Sequence, residues 1–306
     1  MTGASTTGLE RHVRAEIAKR PLLLMTHAVV GYPSLDANWA MLEAMEAAGV
    51  DLVELQLPFS EPIADGPWFS KANHAAIRAG TTWTAYFDFT ARASRRFRFP
   101  LLFMGYYNSI FRMGAAQFCA RLSEAGMRGF IVADLPPQEA AALNARARAR
   151  DLDPILLMTP TNSPERLEAI GRQASGFVYC TARRGVTGKR TDLSEGVAAF
   201  LARCRRATPL PLALGFGIRT PADVRGVRGL VEIAVVGKRA AVGEGVGASQ
   251  AFDARGAAGQ RAGDGEPVRA GIRADQHDAV ARRGGEFARG LVGDGGGRQA
   301  GDLVVR

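Results

Sequence analysis

Up to about residue 237 the chain alternates short apolar runs with longer stretches of helical period. The strand-like runs are Leu22–Val30, Asp51–Leu57, Pro100–Tyr106, Gly129–Ala133, Pro154–Met158, Gly176–Thr181, Pro211–Gly215 and Leu230–Val236. The stretches between them are rich in Ala and predict helices. In the first, Ser34 caps the start, Leu35, Trp39, Leu42 and Met45 line one face, and Gly49 ends the helix. Two helix-to-strand joints echo each other, Ala48-Gly49-Val50-Asp51 and Ala125-Gly126-Met127-Arg128. A strand–helix repeat of this kind needs a parallel sheet with right-handed crossovers. Eight units in 215 residues fit a closed (β/α)8 barrel, the TIM-barrel architecture, better than an open doubly wound sheet. The dinucleotide fingerprint Gly-x-Gly-x-x-Gly is absent after the first strand, which weakens the open-sheet alternative.

The pattern breaks at Gly237. Residues 238–306 carry 16 of the 36 glycines, with no Trp, Tyr, Met or Cys. Their Leu, Ile, Val and Phe number 12 of 69, too few to offset the entropy of ordering the segment. We therefore expect a catalytic barrel over residues 1–237 and a poorly ordered Gly/Ala/Arg-rich tail over 238–306.

Composition narrows the class. With 306 residues, 47% hydrophobic and 23% charged, the chain can bury a large core, and collagen-like, coiled-coil and wholly disordered classes are excluded. No run approaches the length of a membrane span, and the charged first twenty residues do not read as a secretory signal. Cys119, Cys180 and Cys204 are widely spaced and read as reduced thiols of a cytoplasmic protein. His12, His27, His74 and His277 are scattered, so no metal site is expected. The net charge of +9 invites a nucleic-acid reading. The arginines are, however, spread through helices and alternate with Ala, with no aromatic-plus-basic motif. No nucleic acid is expected as a partner.

In a (β/α)8 barrel the chemistry sits at the carboxyl ends of the strands. The second strand is the most informative. Alternation places Leu52, Glu54 and Gln56 on one face and Val53, Leu55 and Leu57 on the other. The all-apolar face belongs against helices, so Glu54 points into the barrel. A carboxylate there is costly unless paired with an interior Arg or Lys, or functional as an acid–base group. The loop that follows holds three prolines and Gly66, so it is shaped, and it carries Glu61 and Asp65. Asp65 is a second catalytic candidate, or it merely forms a turn with Gly66. Gly185 and Gly188 after strand six, Gly215 and Gly217 after strand seven, and Gly237 after strand eight lie in consecutive loops. Such glycines let backbone N–H groups approach a phosphate.

Together these motifs resemble the tryptophan synthase alpha subunit family over about residues 21–237. The resemblance rests on Gly31-Tyr-Pro33, the run Val53-Glu-Leu-Gln-Leu-Pro-Phe-Ser-Glu-Pro-Ile-Ala-Asp-Gly-Pro67, Val132-Ala-Asp-Leu-Pro136, Tyr179, Arg184-Gly-Val-Thr-Gly188, Gly215-Phe-Gly217 and Glu232-Ile-Ala-Val-Val-Gly237. It implies a lyase that cleaves indole-3-glycerol phosphate to indole and glyceraldehyde 3-phosphate in tryptophan biosynthesis. By resemblance, Glu54 does the acid–base work and Asp65 meets the indole N–H. Tyr179 lines the pocket, and Thr187 closes against Asp65. The amides of Gly188, Gly217 and Gly237 hold phosphate. Phe216 contacts the indole or is a plain core residue, and Tyr106 lines the pocket or fills the barrel. The resemblance implies no cofactor in this chain. It implies a beta-subunit partner carrying pyridoxal phosphate, in a heterotetramer of two alpha and two beta chains. The acidic loop and the segment around Asn108 and Asp134 face that partner.

Two departures stand out. The family continues with Ser and Ala after the glycine at 237, whereas Lys238 and Arg239 follow here, then the Gly-rich tail. A shifted reading frame near codon 237 would leave this signature, and the other two downstream frames test it. A chain damaged in this way is the competing reading: an impaired alpha-like protein that only binds the beta subunit. A phosphosugar isomerase is a further alternative, opposed by the Glu54/Asp65 motif. The second departure is His27, where the family tends to have an aromatic. It lines the pocket or is a satisfied core histidine.

Overall fold

A computed structural model describes residues 7–181, 195–215, 218 and 221–237. The segment beyond Gly237, with Lys238, Arg239 and the expected tail, lies outside the described residues.

The chain opens with α1 (Gly8–Lys19), β1 (Leu23–Val29), α2 (Leu35–Ala47) and β2 (Leu52–Gln56). Two helices, α3 (Pro67–Arg78) and α4 (Trp83–Arg96), lead to β3 (Leu101–Gly105), and α5 (Tyr107–Met113) and α6 (Ala115–Glu124) lead to β4 (Gly129–Val132). Then come α7 (Ala141–Arg148), β5 (Asp153–Met158), α8 (Pro164–Gln173), β6 (Val178–Thr181), α9 (Glu195–Ala207), β7 (Leu212–Gly215), α10 (Pro221–Gly226) and β8 (Ile233–Val236). The eight strands pair in chain order, all parallel, and β1 closes on β8 to complete the barrel. All eight expected strands are present. No helix among the described residues is long and apolar enough to cross a membrane.

Two apolar layers follow from strand alternation. Leu23, Met25, Leu52, Leu102, Ile131, Tyr179, Ile233 and Val235 fill the barrel interior. The odd-even partners Leu24, Val53, Leu55, Leu101 and Phe103 join the helices in an outer layer. The first helix was not anticipated. Thr7 caps it by accepting from the Glu10 N–H, and Leu9 and Val13 join the interior cluster. Leu9, Val13 and Ile17 recur at a spacing of four, which is the signal that could have revealed it.

The second helix corrects one detail. Ser34 does cap it, accepting from the Ala37 N–H at 3.1 Å, and Leu42 and Met45 are buried. Leu35, expected on the apolar face, is exposed. Asn38 is buried instead: it accepts from the Gly31 N–H at 2.6 Å and donates to the carbonyls of Val29 and Tyr32. The chain leaving β1 needs polar partners there, and one amide satisfies three backbone groups. Gly49 and Gly126, in the echoing joints, both have positive φ, a conformation that a side chain disfavours.

Candidate active site

Strand register brings the site together. His27 on β1 lies opposite Glu54 on β2, and Val29 opposite Gln56. Alternation points His27, Glu54 and Gln56 inward, on the face that carries Met25 and Leu52 deeper in the barrel. Glu54 is 4% exposed. Its alternative partner, an interior Arg or Lys, is not what the structure shows. The partner is His27, whose Nδ1 lies 2.9 Å from Glu54 Oε1. The other ring nitrogen, Nε2, lies 2.8 Å from Gln56 Oε1. Burial opposes a charge on His27, but the charge and hydrogen bond of Glu54, reinforced by Asp65 and Gln56, raise its pKa above the ordinary histidine value.

Asp65 arrives from the loop after β2 and is 8% exposed. It does not serve merely as a turn residue: its Oδ2 accepts from Gln56 Nε2 at 2.7 Å and from Asn73 Nδ2 at 3.5 Å. Burial pushes its pKa up, while His27, Gln56 and Tyr106 pull the other way. The loop is fastened on two sides. Asn73 on α3 accepts from the Phe59 N–H at 2.9 Å and donates to the Phe69 carbonyl. Tyr106, at the end of β3, accepts from the Ala64 N–H at 3.2 Å and stacks on Phe59 at 5.0 Å between ring centroids. Tyr106 therefore neither simply fills the barrel nor stands apart from the site; it holds the acidic loop beside Asp65. Burial, then the Asp65 charge, push its hydroxyl pKa up.

Tyr179 is buried inside the barrel on β6. Burial raises its pKa well above the usual tyrosine range, and Glu54 and Asp65 both add to the rise, which places its hydroxyl in the field of the two carboxylates. Gly215, on the neighbouring strand, has a steric role: a Cβ there would lie 2.1 Å from the Tyr179 hydroxyl. Gly237 follows β8, and a Cβ there would come 3.3 Å from the Phe69 ring. The ring of His27 also meets Phe69, edge-on at 4.6 Å. Thr187, Gly188, Phe216 and Gly217 lie outside the described residues.

Sequence reasoning left three contributors without a role. Gln56 shares the inward face of Glu54, so a second polar residue there was already a signal. Asn73 sits in the apolar stripe of α3 between Phe69 and Ala76, all three buried. Phe69, in the same stripe, gave no separate signal.

Comparison with known proteins agrees with this fold. The model of the family "Tryptophan synthase alpha chain" matches residues 14–245, eight residues past the boundary expected at Gly237. The tryptophan synthase alpha chain of Desulforapulum autotrophicum is 45% identical over 229 residues, 75% of this chain and 90% of its own. That of Desulfotalea psychrophila is 45% identical over 231 residues, 76% and 91% of the two chains. Among solved structures, a Mycobacterium tuberculosis tryptophan synthase chain overlays with a TM-score of 0.75 at 30% identity, covering 85% of this chain and all of that one. A chain of the α2β2 tryptophan synthase complex from Pyrococcus furiosus does so at 0.66 and 29%, covering 71% and 88%. With a closed eight-stranded barrel and most of its length matched, this chain belongs to the tryptophan synthase alpha chain family.

Proposed function

We propose that Glu54 and Asp65 are the catalytic pair of this lyase, cleaving indole-3-glycerol phosphate into indole and glyceraldehyde 3-phosphate. The observation that carries this reading is the convergence of the two carboxyl groups. One lies on β2 and the other on the loop beyond it. Both are buried at the carboxyl end of the barrel and joined through only two side chains, His27 and Gln56. The reaction needs two such groups. Glu54 protonates indole C3, and Asp65 stabilises the positive charge that develops at the ring nitrogen. Glu54 then takes the proton of the glyceryl hydroxyl as the C–C bond breaks and its electrons return to the ring. The aldehyde forms, the ring is neutral again, and Glu54 regains its proton. Protons balance, so the cycle needs no cofactor in this chain. Tyr179 bounds the pocket beside both carboxylates, and Tyr106 keeps the loop of Asp65 in place.

In this reading the amides of Gly188, Gly217 and Gly237 receive the phosphate, Phe216 meets the indole, and Thr187 closes against Asp65. The family resemblance supports these five assignments.

The partner is a tryptophan synthase beta subunit in an assembly of two alpha and two beta chains, with pyridoxal phosphate held by the beta subunit. The α2β2 state of the Pyrococcus furiosus relative supports this. So do two exposed apolar side chains: Ile63 on the acidic loop, 70% exposed, and Phe111 on α5, 71% exposed. Asp134, in the segment expected to face the partner, accepts from the Tyr107 N–H at the start of α5. The reading places the reaction in the cytoplasm, in keeping with three buried, unpaired cysteines.

The test is indole release from indole-3-glycerol phosphate by the purified full-length chain, with and without a beta subunit. Release that disappears in Glu54→Gln and rises with the partner is the expected result. A folded chain that binds the beta subunit and releases no indole would overturn the lyase reading in favour of the impaired one.

A further inference from the structure

Glu54, His27, Gln56 and Asp65 form one hydrogen-bonded chain, and its polarity can be read from one end to the other. An ionised Asp65 only accepts, so the end of Gln56 that lies 2.7 Å away is the NH2 group. The amide oxygen of Gln56 then faces His27 Nε2 at 2.8 Å. A carbonyl oxygen only accepts, so Nε2 carries a hydrogen. The remaining ring nitrogen, Nδ1, lies 2.9 Å from Glu54 Oε1. Two lone pairs at that distance repel, so a proton lies in this contact whichever atom owns it. The tautomer of a histidine is set by the bond its other nitrogen makes, and here Asp65 sets it through Gln56.

We propose that His27 is a positioning residue for Glu54, holding a proton against Oε1 throughout the cycle so that Oε2 alone exchanges a proton with the substrate. The inference rests on the lyase reading above. When Oε2 gives its proton to indole C3, the carboxylate left behind faces the Nδ1–H of His27 rather than an apolar barrel. When the C–C bond breaks, the glyceryl hydroxyl returns a proton to Oε2, and the pair regains its starting proton count. Asp65 acts in the same network, so the group that stabilises the indole cation also orients the group that supplies the proton.

The surroundings fit this role. Among the described residues, the charged groups that act on His27 are Glu54 on β2 and Asp65 on the following loop. Tyr179 on β6 faces both carboxylates, Tyr106 at the end of β3 faces Asp65, and Phe69 on α3 covers the imidazole edge-on. His27 is 5% exposed, so bulk solvent has little access to the Nδ1–Oε1 contact.

The experiment compares the full-length chain with His27→Phe and His27→Gln. Gln keeps hydrogen-bonding capacity without titrating, so it guards against a failure of the Phe variant to fold. Wild-type kcat should decline as pH rises through the raised His27 pKa, above 6.5, because the Nδ1 proton is then lost. That limb should be missing in both variants, with kcat lowered about tenfold at neutral pH, a fraction of what the acid itself contributes. KM should stay within about threefold, since His27 touches no substrate in this arrangement. The same alkaline limb in both variants, or kcat within about twofold of wild type, would overturn the proposal. A readout independent of turnover separates it from the lyase reading: 15N NMR of His27. The wild type should show Nε2 protonated and one proton at Nδ1, and Gln56→Leu should release that preference. A free mixture of tautomers in the wild type would sink the proposal even if indole is released. Conversely, the expected spectrum without indole release would leave the hydrogen-bond chain standing and sink the lyase reading.

Discussion

Tyr179 occupies the space that a side chain at Gly215 would need. A Cβ on Gly215 would lie 2.1 Å from the Tyr179 hydroxyl and 2.4 Å from its Cζ. Residue 215 ends β7 with no left-handed backbone requirement, so the demand for glycine is steric. Gly215→Ala should therefore push the Tyr179 hydroxyl off its position in the field of the two carboxylates. We expect a loss of about 1–3 kcal/mol, typical of overpacking, and a clear fall in kcat/KM. Urea unfolding in the Tyr179→Ala background checks the cause. The penalty of Gly215→Ala should largely vanish there; an undiminished penalty would refute the steric coupling.

Asp65 links stability to pH. Its folded-state pKa is raised above 3.8, chiefly by burial, so the native state binds this proton more tightly than the unfolded chain. Stability from this group is full at low pH and is lost as pH rises through the folded value. Asp65→Asn keeps an acceptor for Gln56 and removes the charge. At pH 8 its melting temperature should exceed that of the wild type, while indole release collapses. A lower melting temperature at that pH would show that ionised Asp65 stabilises the barrel.

Asp153 opens β5 and is fully buried, and burial pushes its pKa up to about 6. The sign is the same as for Asp65: the contribution is complete below the unfolded value and lost as pH rises through about 6. A rise of that size is worth up to about 3 kcal/mol. Chemical denaturation of the wild type between pH 4 and 7 should show this decline, and Asp153→Asn should flatten it. Parallel curves for the two proteins would contradict the assignment.

Asn38→Ala removes the acceptor of the Gly31 N–H and the donor to two carbonyls, all near the end of β1. Leaving buried backbone groups unpaired should cost about 2–4 kcal/mol. Leu35→Ala, at an exposed position of the same helix, should cost far less. Unfolding curves for the pair decide whether the helix is held by its polar or its apolar residues; equal losses would argue against the role given to Asn38.

Much of this protein was legible in its sequence because the relevant physics is local. Eight apolar runs separated by helical periods fixed eight strands, and with them the barrel. The period of two within β2 turned Glu54 inward before any neighbour was known. The two echoing glycines after helices marked the positive-φ joints. The acidic loop announced itself by its prolines and carboxylates, and the family resemblance named its chemistry. What stayed hidden depends on groups far apart in the chain. Ser34 and Leu35 read as a helix start, but only the return of the chain after β1 made Asn38 a buried polar clamp. Tyr106 and Asn73 gained their roles because the loop folds back between them. His27 read as a satisfied core histidine more readily than as a pocket residue, since its role depends on atoms 27 and 29 positions away. Register between β1 and β2 sets His27 opposite Glu54, and the fold of the loop brings Asp65 to Gln56. Periodicity fixes the face on which a side chain lies; which groups meet across the barrel, and so where a proton is held, was decided by strand pairing and barrel closure alone.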